Sequence, residues 1–171
     1  MIRIRPLTRA GLKEAVNLIN EIFPEEEEEP PSEELPASLN PKRYKAFLLK
    51  TKKSDIKYWV AINDSNRVVG TVGSCCCEKD KNEAFWLGWF CVHPDFRGNG
   101  IGSRLLQFAI NKAKERSKKF LRLDTSTDSS ELTARRLYEK HGFKLVREEQ
   151  LGNAGLKKLY YELKLKKRCS Y

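Results

Sequence analysis

A chain of 171 residues, 40% hydrophobic and 33% charged, is about one domain long and carries enough apolar side chains for a core. The N-terminal MIRIRPLT has no apolar leader and no run approaches the roughly 20 apolar residues of a membrane span, so a soluble cytoplasmic protein is expected. The net charge of +10 raises nucleic acid as a partner, but Lys and Arg are spread along the chain and are densest only near its end (Lys157, Lys158; Lys164, Lys166, Lys167, Arg168), which makes that the lesser expectation.

Taken in order, Ile2 and Ile4 alternate with Arg3 and Arg5 as a short strand ended by Pro6. Thr8 reads as an N-cap, and Leu12, Ala15, Val16, Leu18, Ile19 and Ile22 give the next helix its apolar side, up to Phe23-Pro24. Glu25 to Glu29, followed by Pro30, Pro31, Glu33, Glu34 and Pro36, predicts a mobile acidic loop, because like charges repel and prolines oppose helix. A second helix is expected from about Asn40-Pro41, carrying Tyr44, Phe47, Leu48 and Leu49.

Ile56 to Ile62 and Arg67 to Cys77 are β-rich runs joined by Asn63 to Asn66, a hairpin signature. Three adjacent cysteines, Cys75, Cys76 and Cys77, alternate between the faces of such a strand and suit packing rather than a disulfide framework. No Cys-x-x-Cys pair occurs and the only histidines are His93 and His141, so no metal site is expected.

After a polar turn (Lys79 to Glu83) comes WLGWFCVHPDFRGNGIGS, Trp86 to Ser103. An apolar strand stops at Pro94, a glycine-rich turn follows, and Leu105, Leu106, Ala109 and Ile110 recur at helical spacing to about Lys118. Gly98, Gly100 and Gly102 let backbone approach a ligand, the opening helical turn leaves N–H groups unpaired, and Arg97 adds a phosphate-binding charge. Two familiar phosphate loops fail here. The Walker form needs Lys then Ser/Thr after its last Gly, where Ser103 and Arg104 stand, and the dinucleotide fingerprint needs Gly where Ser103 stands.

What remains, Arg-x-x-Gly-x-Gly after a Val-x-Pro strand end (VHPDFRGNGIGSRLL), resembles the acetyl-CoA signature of the GCN5-related N-acetyltransferases. The resemblance implies that the amides of Arg97, Gly98, Asn99, Gly100, Ile101, Gly102 and Ser103 hold the CoA diphosphate. It also implies that the backbone of Phe90, Cys91 and Val92 pairs with the pantetheine arm.

Phe120 to Thr125 is the next strand, Thr125 to Ser130 a turn with Ser129 or Ser130 as N-cap, and a helix follows through Leu132, Ala134, Leu137 and Tyr138 to a stop at Gly142. Phe143 to Arg147 and Leu156 to Leu165 are two last strands around a Gly152-Asn153-Gly155 turn, and residues 166–171 form a frayed basic tail beyond a single domain of 1–165. The run ARRLYEKHGF is a second resemblance, matching the family's LYEK-x-GF helix end. The expected fold is therefore an α+β domain with a mixed, mostly antiparallel, centrally splayed sheet of seven strands and about four helices.

By that resemblance Tyr138 is the general acid that protonates the departing thiolate, and a phenol with an ordinary pKa of about 10 is protonated at neutral pH. The base is left open. Trp86 stands where many relatives carry a glutamate, Asp124 aligns with the carboxylate used by the branch acetylating ribosomal-protein N-termini, and Glu83 or a water relay are further choices. Glu131 replaces the asparagine that contacts pantetheine in many relatives.

The implied reaction moves acetyl from acetyl-CoA directly to a primary amine, with no metal, in a monomer or homodimer. The family places the connection between the first two helices beside the acceptor, so Glu25 to Glu29 would draw in a cationic amine if they are more than a solvated charge run. A non-catalytic acyl-CoA-binding regulator of the same fold and a basic nucleic-acid-binding module are the competing readings.

Overall fold

β-branched, aromatic and small residues dominate the two runs predicted to pair, and they do pair: β2 (Lys53–Ile62) lies antiparallel to β3 (Val68–Cys77). The computed structural model describes residues 1–23, 29–152 and 155–166. Pro24, Glu25 to Glu28, Asn153 and residues 167–171, on which parts of the loop, turn and tail expectations fell, lie outside the described residues. In the hairpin turn Asn63 Oδ1 accepts the Arg67 N–H at 2.9 Å and Asn66 takes the left-handed conformation that asparagine tolerates. β3 is buried along nearly its whole length, as a strand covered on both faces must be.

The remaining elements are β1 (Arg3–Pro6), α1 (Arg9–Ile22), α2 (Pro31–Leu39), α3 (Lys45–Thr51), β4 (Ala84–Leu87), β5 (Cys91–Val92), α4 (Ile101–Glu115), β6 (Phe120–Ser126), α5 (Leu132–Lys140), β7 (Lys144–Leu151) and β8 (Leu156–Lys164). The described residues thus form one mixed sheet in the order β1-β2-β3-β4-β6-β8-β7, with β5 added to β3. Every pairing is antiparallel except β4 with β6. Leu18, Ile19, Leu35, Ala37 and Phe47 pack α1, α2 and α3 against one face with Tyr58, Val60 and Cys75. Leu105, Leu106, Ala109, Ile110, Tyr138 and Phe143 pack α4 and α5 against the other.

The fold class is as expected, but the described residues hold eight strands and five α-helices rather than seven and about four. One extra helix is α2, where a loop was expected. Pro31 sits in its first turn, where a missing N–H costs nothing, and Glu33 and Glu34 in that turn complement the helix dipole. Pro36 forfeits one hydrogen bond in a nine-residue helix, while Leu35 and Ala37 are fully buried. The next helix starts later than expected: Asn40 Oδ1 accepts the Arg43 N–H in a turn, α3 begins at Lys45, and Leu49 is exposed.

The other difference is that the single strand expected over Trp86 to Val92 is two, β4 and β5, with Gly88, Trp89 and Phe90 between them. Smaller corrections concern caps. Thr8 occupies the N-cap of α1 without a side-chain hydrogen bond. The turn before α5 is capped by Asp128, whose carboxylate accepts the Ser130 N–H at 2.8 Å, not by Ser129 or Ser130.

Candidate active site

The interruption between β4 and β5 opens the sheet. β4 pairs with β6 over Ala84↔Phe120, Phe85↔Leu121 and Trp86↔Arg122, and there the contact stops. β5 pairs only with β3, through Gly70↔Val92 and Thr71↔Cys91. β5 and β6 are therefore not paired with each other, which leaves a gap in the ladder between them. His93 N–H bonds the Val69 carbonyl at 2.9 Å, so by the alternation of an antiparallel ladder Cys91 also directs its backbone at β3 and Val92 directs its own away. Arg97 Nε takes up the Val92 carbonyl at 3.0 Å. The Cys91 thiol lies 3.3 Å from Thr71 Oγ1, and burial pushes its pKa up to about 11, so it is a packed thiol rather than a nucleophile.

At the mouth of this gap the glycine turn leads into α4. Gly98 and Gly100 both have positive φ, and a Cβ at either would meet nothing within 4 Å, so the turn needs glycine for its backbone and faces open space. Asn99 folds its amide back onto the Phe96 and Arg97 carbonyls (3.4 and 3.2 Å). Gly100 is the N-cap of α4 and supplies no side chain, while its carbonyl already receives Arg104 N–H. The amides of Ile101, Gly102 and Ser103 are the helix's unpaired opening donors, directed outward with the positive end of the dipole behind them. This arrangement fits a diphosphate.

His141, at the end of α5, braces the turn. Its Nδ1 lies 3.0 Å from the Leu137 carbonyl, which assigns the proton to Nδ1, and its Nε2 then accepts the Ser103 hydroxyl at 3.2 Å. A Cβ at Gly102 would touch Leu137, Phe90 and Val92 at 3.4 to 3.7 Å, so this glycine brings α4, α5 and the inner wall of the gap together. Two further arginines near the turn and α5, Arg104 and Arg135, donate to the Ile2 and Ser126 carbonyls.

Tyr138 projects from α5 into this junction. It is 5% exposed, with its ring 5.9 Å from Phe90, 5.9 Å from Phe143 and 6.3 Å from Tyr161. Burial raises its phenol pKa well above the usual 10, and the nearby Glu131, Asp124 and Cys91 raise it further. Cys91 is on β5 and Asp124 on β6, so the hydroxyl is within electrostatic reach of both walls of the gap. A protonated donor held there can give a proton to a leaving group between the strands.

The carboxylates considered as base are all engaged. Asp124 pairs with Lys158 Nζ at 3.0 Å; burial alone would lower the Lys158 pKa, but Asp124 outweighs it and keeps the ammonium charged. Glu83 is held by Arg122 at 2.9 Å, together with Asp80 at 2.6 Å and Glu162 at 2.7 Å. Trp86 Nε1 donates to Asp80, and the Trp86 ring stands edge-on to Tyr160 at 6.4 Å. Glu131 accepts the Thr125 hydroxyl at the end of β6. Lys158 and Thr125 carried no motif signal; only the register of β6 with β8 brings Lys158 beside Asp124.

A profile of the family described as "Acetyltransferase (GNAT) domain" matches residues 54–145, more than half of the chain. The chain belongs to the GNAT acetyltransferase family. Solved structures of the same fold include an acetyltransferase of the GNAT family from Staphylococcus aureus Mu50, with a TM-score of 0.69 at 22% identity over 97% of this chain and 100% of that one. An aminoglycoside 6'-N-acetyltransferase complexed with coenzyme A has a TM-score of 0.74 at 19% identity, over 98% of this chain and 99% of that one. Arabidopsis thaliana NAA60 in complex with a bisubstrate analogue has a TM-score of 0.70 at 15% identity, over 96% and 98%. No curated protein matches the chain.

In this GNAT domain the matched span covers the glycine turn, the gap and Tyr138, while α1 and α2 precede it. No described helix is long and apolar enough to cross a membrane, and among the described residues no three His, Cys, Asp or Glu side chains are placed to hold a metal ion.

Proposed function

We propose that this GNAT protein transfers acetyl from acetyl-CoA directly to a primary amine in the cytoplasm. The observation that supports the reading is the packing of Tyr138 against Phe90, the residue that leads into β5, next to the α4 N-terminus whose opening amides have no helical partner. Acetyl-CoA supplies the activated acyl group as a thioester. The amides of Gly98 to Ser103, with Arg97, hold its diphosphate, and Phe90, Cys91 and Val92 border its pantetheine arm, with Val92 offering the N–H that β3 leaves free while its carbonyl stays with Arg97. As the amine nitrogen bonds to the acyl carbon and the carbon–sulfur bond breaks, Tyr138 gives its proton to the sulfur.

Asp124 receives the amine's proton in this scheme. An acceptor arriving as an ammonium ion first replaces Lys158 as the partner of Asp124, which favours cationic acceptors over neutral ones. Glu29, the one described member of the acidic run, is held by Lys53 at 2.5 Å and lies close enough to Lys158 to help hold its charge. The diphosphate on the α4 amides also gives the +10 chain an anionic partner that is not nucleic acid.

The test is thiol release from acetyl-CoA across polyamines, amino acids, aminoglycosides and peptides with free N-termini. Turnover with at least one amine, lost in Tyr138→Phe, is the expected result. Tight acetyl-CoA binding with no turnover on any amine would make the protein an acyl-CoA-binding regulator instead.

A further inference from the structure

Side chains, not the strand ladder, build the interruption between β4 and β5. Trp89 N–H donates to Tyr58 Oη at 3.1 Å, and the Trp89 carbonyl accepts Thr71 Oγ1 at 3.1 Å; beside them Gly88 N–H keeps a backbone partner, the Gly73 carbonyl at 2.8 Å. Tyr58 belongs to β2, one strand further off, and crosses β3 to reach this point. A Cβ at Gly73 would stand 2.4 Å from its ring and a Cβ at Gly88 2.5 Å from its hydroxyl, so the two glycines clear the path of one tyrosine.

That tyrosine is itself aimed. Its hydroxyl donates to Glu34 Oε1 at 2.7 Å, and Glu34, on α2 and only 2% exposed, spends its other oxygen on Lys53 Nζ at 2.9 Å. A phenol has one hydrogen, so with that hydrogen committed to Glu34 a lone pair is left for Trp89 N–H. Burial first, and the Glu34 carboxylate second, keep the phenol protonated, so the direction of this relay is fixed at neutral pH.

We propose that Tyr58, oriented by Glu34, is a positioning residue for acetyl transfer: it fixes the bulge at Trp89 that turns β5 away from β6, and thereby ties the width of the thioester cleft to the seating of α2. The inference rests on the proposed function, since it assumes that the gap is where the thioester lies. Burying Glu34 and Tyr58 is costly unless every partner is present, and here the partners come from α2, β2 and the interrupted strand at once. Neither residue reaches the reacting atoms, so their effect is on geometry.

The experiment compares Tyr58→Phe, Glu34→Leu and Glu34→Gln with the wild type. Two ligands are used: acetyl-CoA, and 3'-phospho-ADP, which carries the diphosphate without the pantetheine arm. Tyr58→Phe is expected to lower kcat/KM for acetyl-CoA by about 10- to 100-fold, the range a misplacement of about 1 Å produces, while the Kd for 3'-phospho-ADP stays within about twofold. Glu34→Leu should follow it, and the double variant should be no worse than either single one. Glu34→Gln, whose amide oxygen still accepts from Tyr58, should recover most of the activity.

Amide exchange at Trp89 should be faster in Tyr58→Phe whether or not ligand is present. Should Tyr58→Phe fail to fold, Glu34→Leu keeps the ring and carries the same comparison. A Tyr58→Phe enzyme with a lowered Tm but wild-type kcat and KM would overturn the proposal, as would parallel weakening of both ligands. A wild type that neither binds nor turns over acetyl-CoA would overturn the proposed function, leaving the Trp89 exchange rate to judge the bulge alone.

Discussion

A phenol buried among three aromatic rings and flanked by two carboxylates stays protonated at neutral pH, so Tyr138 would enter the proposed reaction carrying its proton, although the same surroundings make it a weaker acid than a free phenol. Removing only its hydroxyl, Tyr138→Phe, should lower kcat by about 10²- to 10⁴-fold while acetyl-CoA affinity changes little, as steady-state rates and equilibrium binding would show. The sign of its pKa shift sets a second expectation. A folded value above the unfolded one near 10 means that the neutral phenol's contribution to stability is complete below pH 10 and is lost as pH climbs through the higher folded value. No alkaline fall in kcat from Tyr138 should therefore appear below pH 10, which a pH profile to pH 10.5 checks.

Asp124 gives the sharper residue-level test. Lys158→Met removes its partner, so KM for a cationic amine should fall while Asp124→Asn loses most of kcat/KM; equal effects on cationic and neutral amines would remove Asp124 from the acceptor's path. The resemblance named Tyr138 and Asp124, yet the sequence could not show that Asp124 is paired, because Lys158 is 34 positions away and meets it only through strand register.

At the scale of elements, the β2–β3 hairpin, α4 and α5 were legible because their apolar periodicity agrees with their turn chemistry. Two elements were not. α2 looked like a loop because Pro30, Pro31 and Pro36 are read as breakers, and burial of Leu35, Ala37 and Glu34 against β2 outweighs that local preference. The break after Leu87 was hidden in an unbroken apolar run, since it is imposed by Tyr58 from a different strand.

The glycine turn was legible, and its three glycines now separate into two kinds. Gly100→Ala places a Cβ on a left-handed residue and should cost about 1–2 kcal/mol in chemical denaturation, besides crowding the diphosphate. Gly102→Ala meets only ordinary contacts within a helix, so stability should hold or rise by up to about 1 kcal/mol, while KM for acetyl-CoA rises because the new methyl faces Phe90 and Val92.

Across the whole molecule the sheet is two pieces sharing a short seam. β1, β2, β3 and β5 form one side, β6, β8 and β7 the other, and β4 joins them through only three paired positions with β6. Arg122 reinforces the seam, binding Asp80 and Glu83 from the β4 side and Glu162 from β8 with its side chain 20% exposed. Arg122→Met leaves three carboxylates facing one another and should destabilise the protein by about 1–4 kcal/mol in urea unfolding, between the values for exposed and buried pairs. A seam this short leaves β5 and β6 unpaired, and in the proposed reaction the acyl group lies between them beside Tyr138. A crystal structure of the protein with coenzyme A measures the result directly. The diphosphate is expected on the amides of Ile101, Gly102 and Ser103 and the sulfur within about 3.5 Å of the Tyr138 hydroxyl; coenzyme A bound elsewhere, or a sulfur well beyond that reach, would contradict the proposed role of Tyr138.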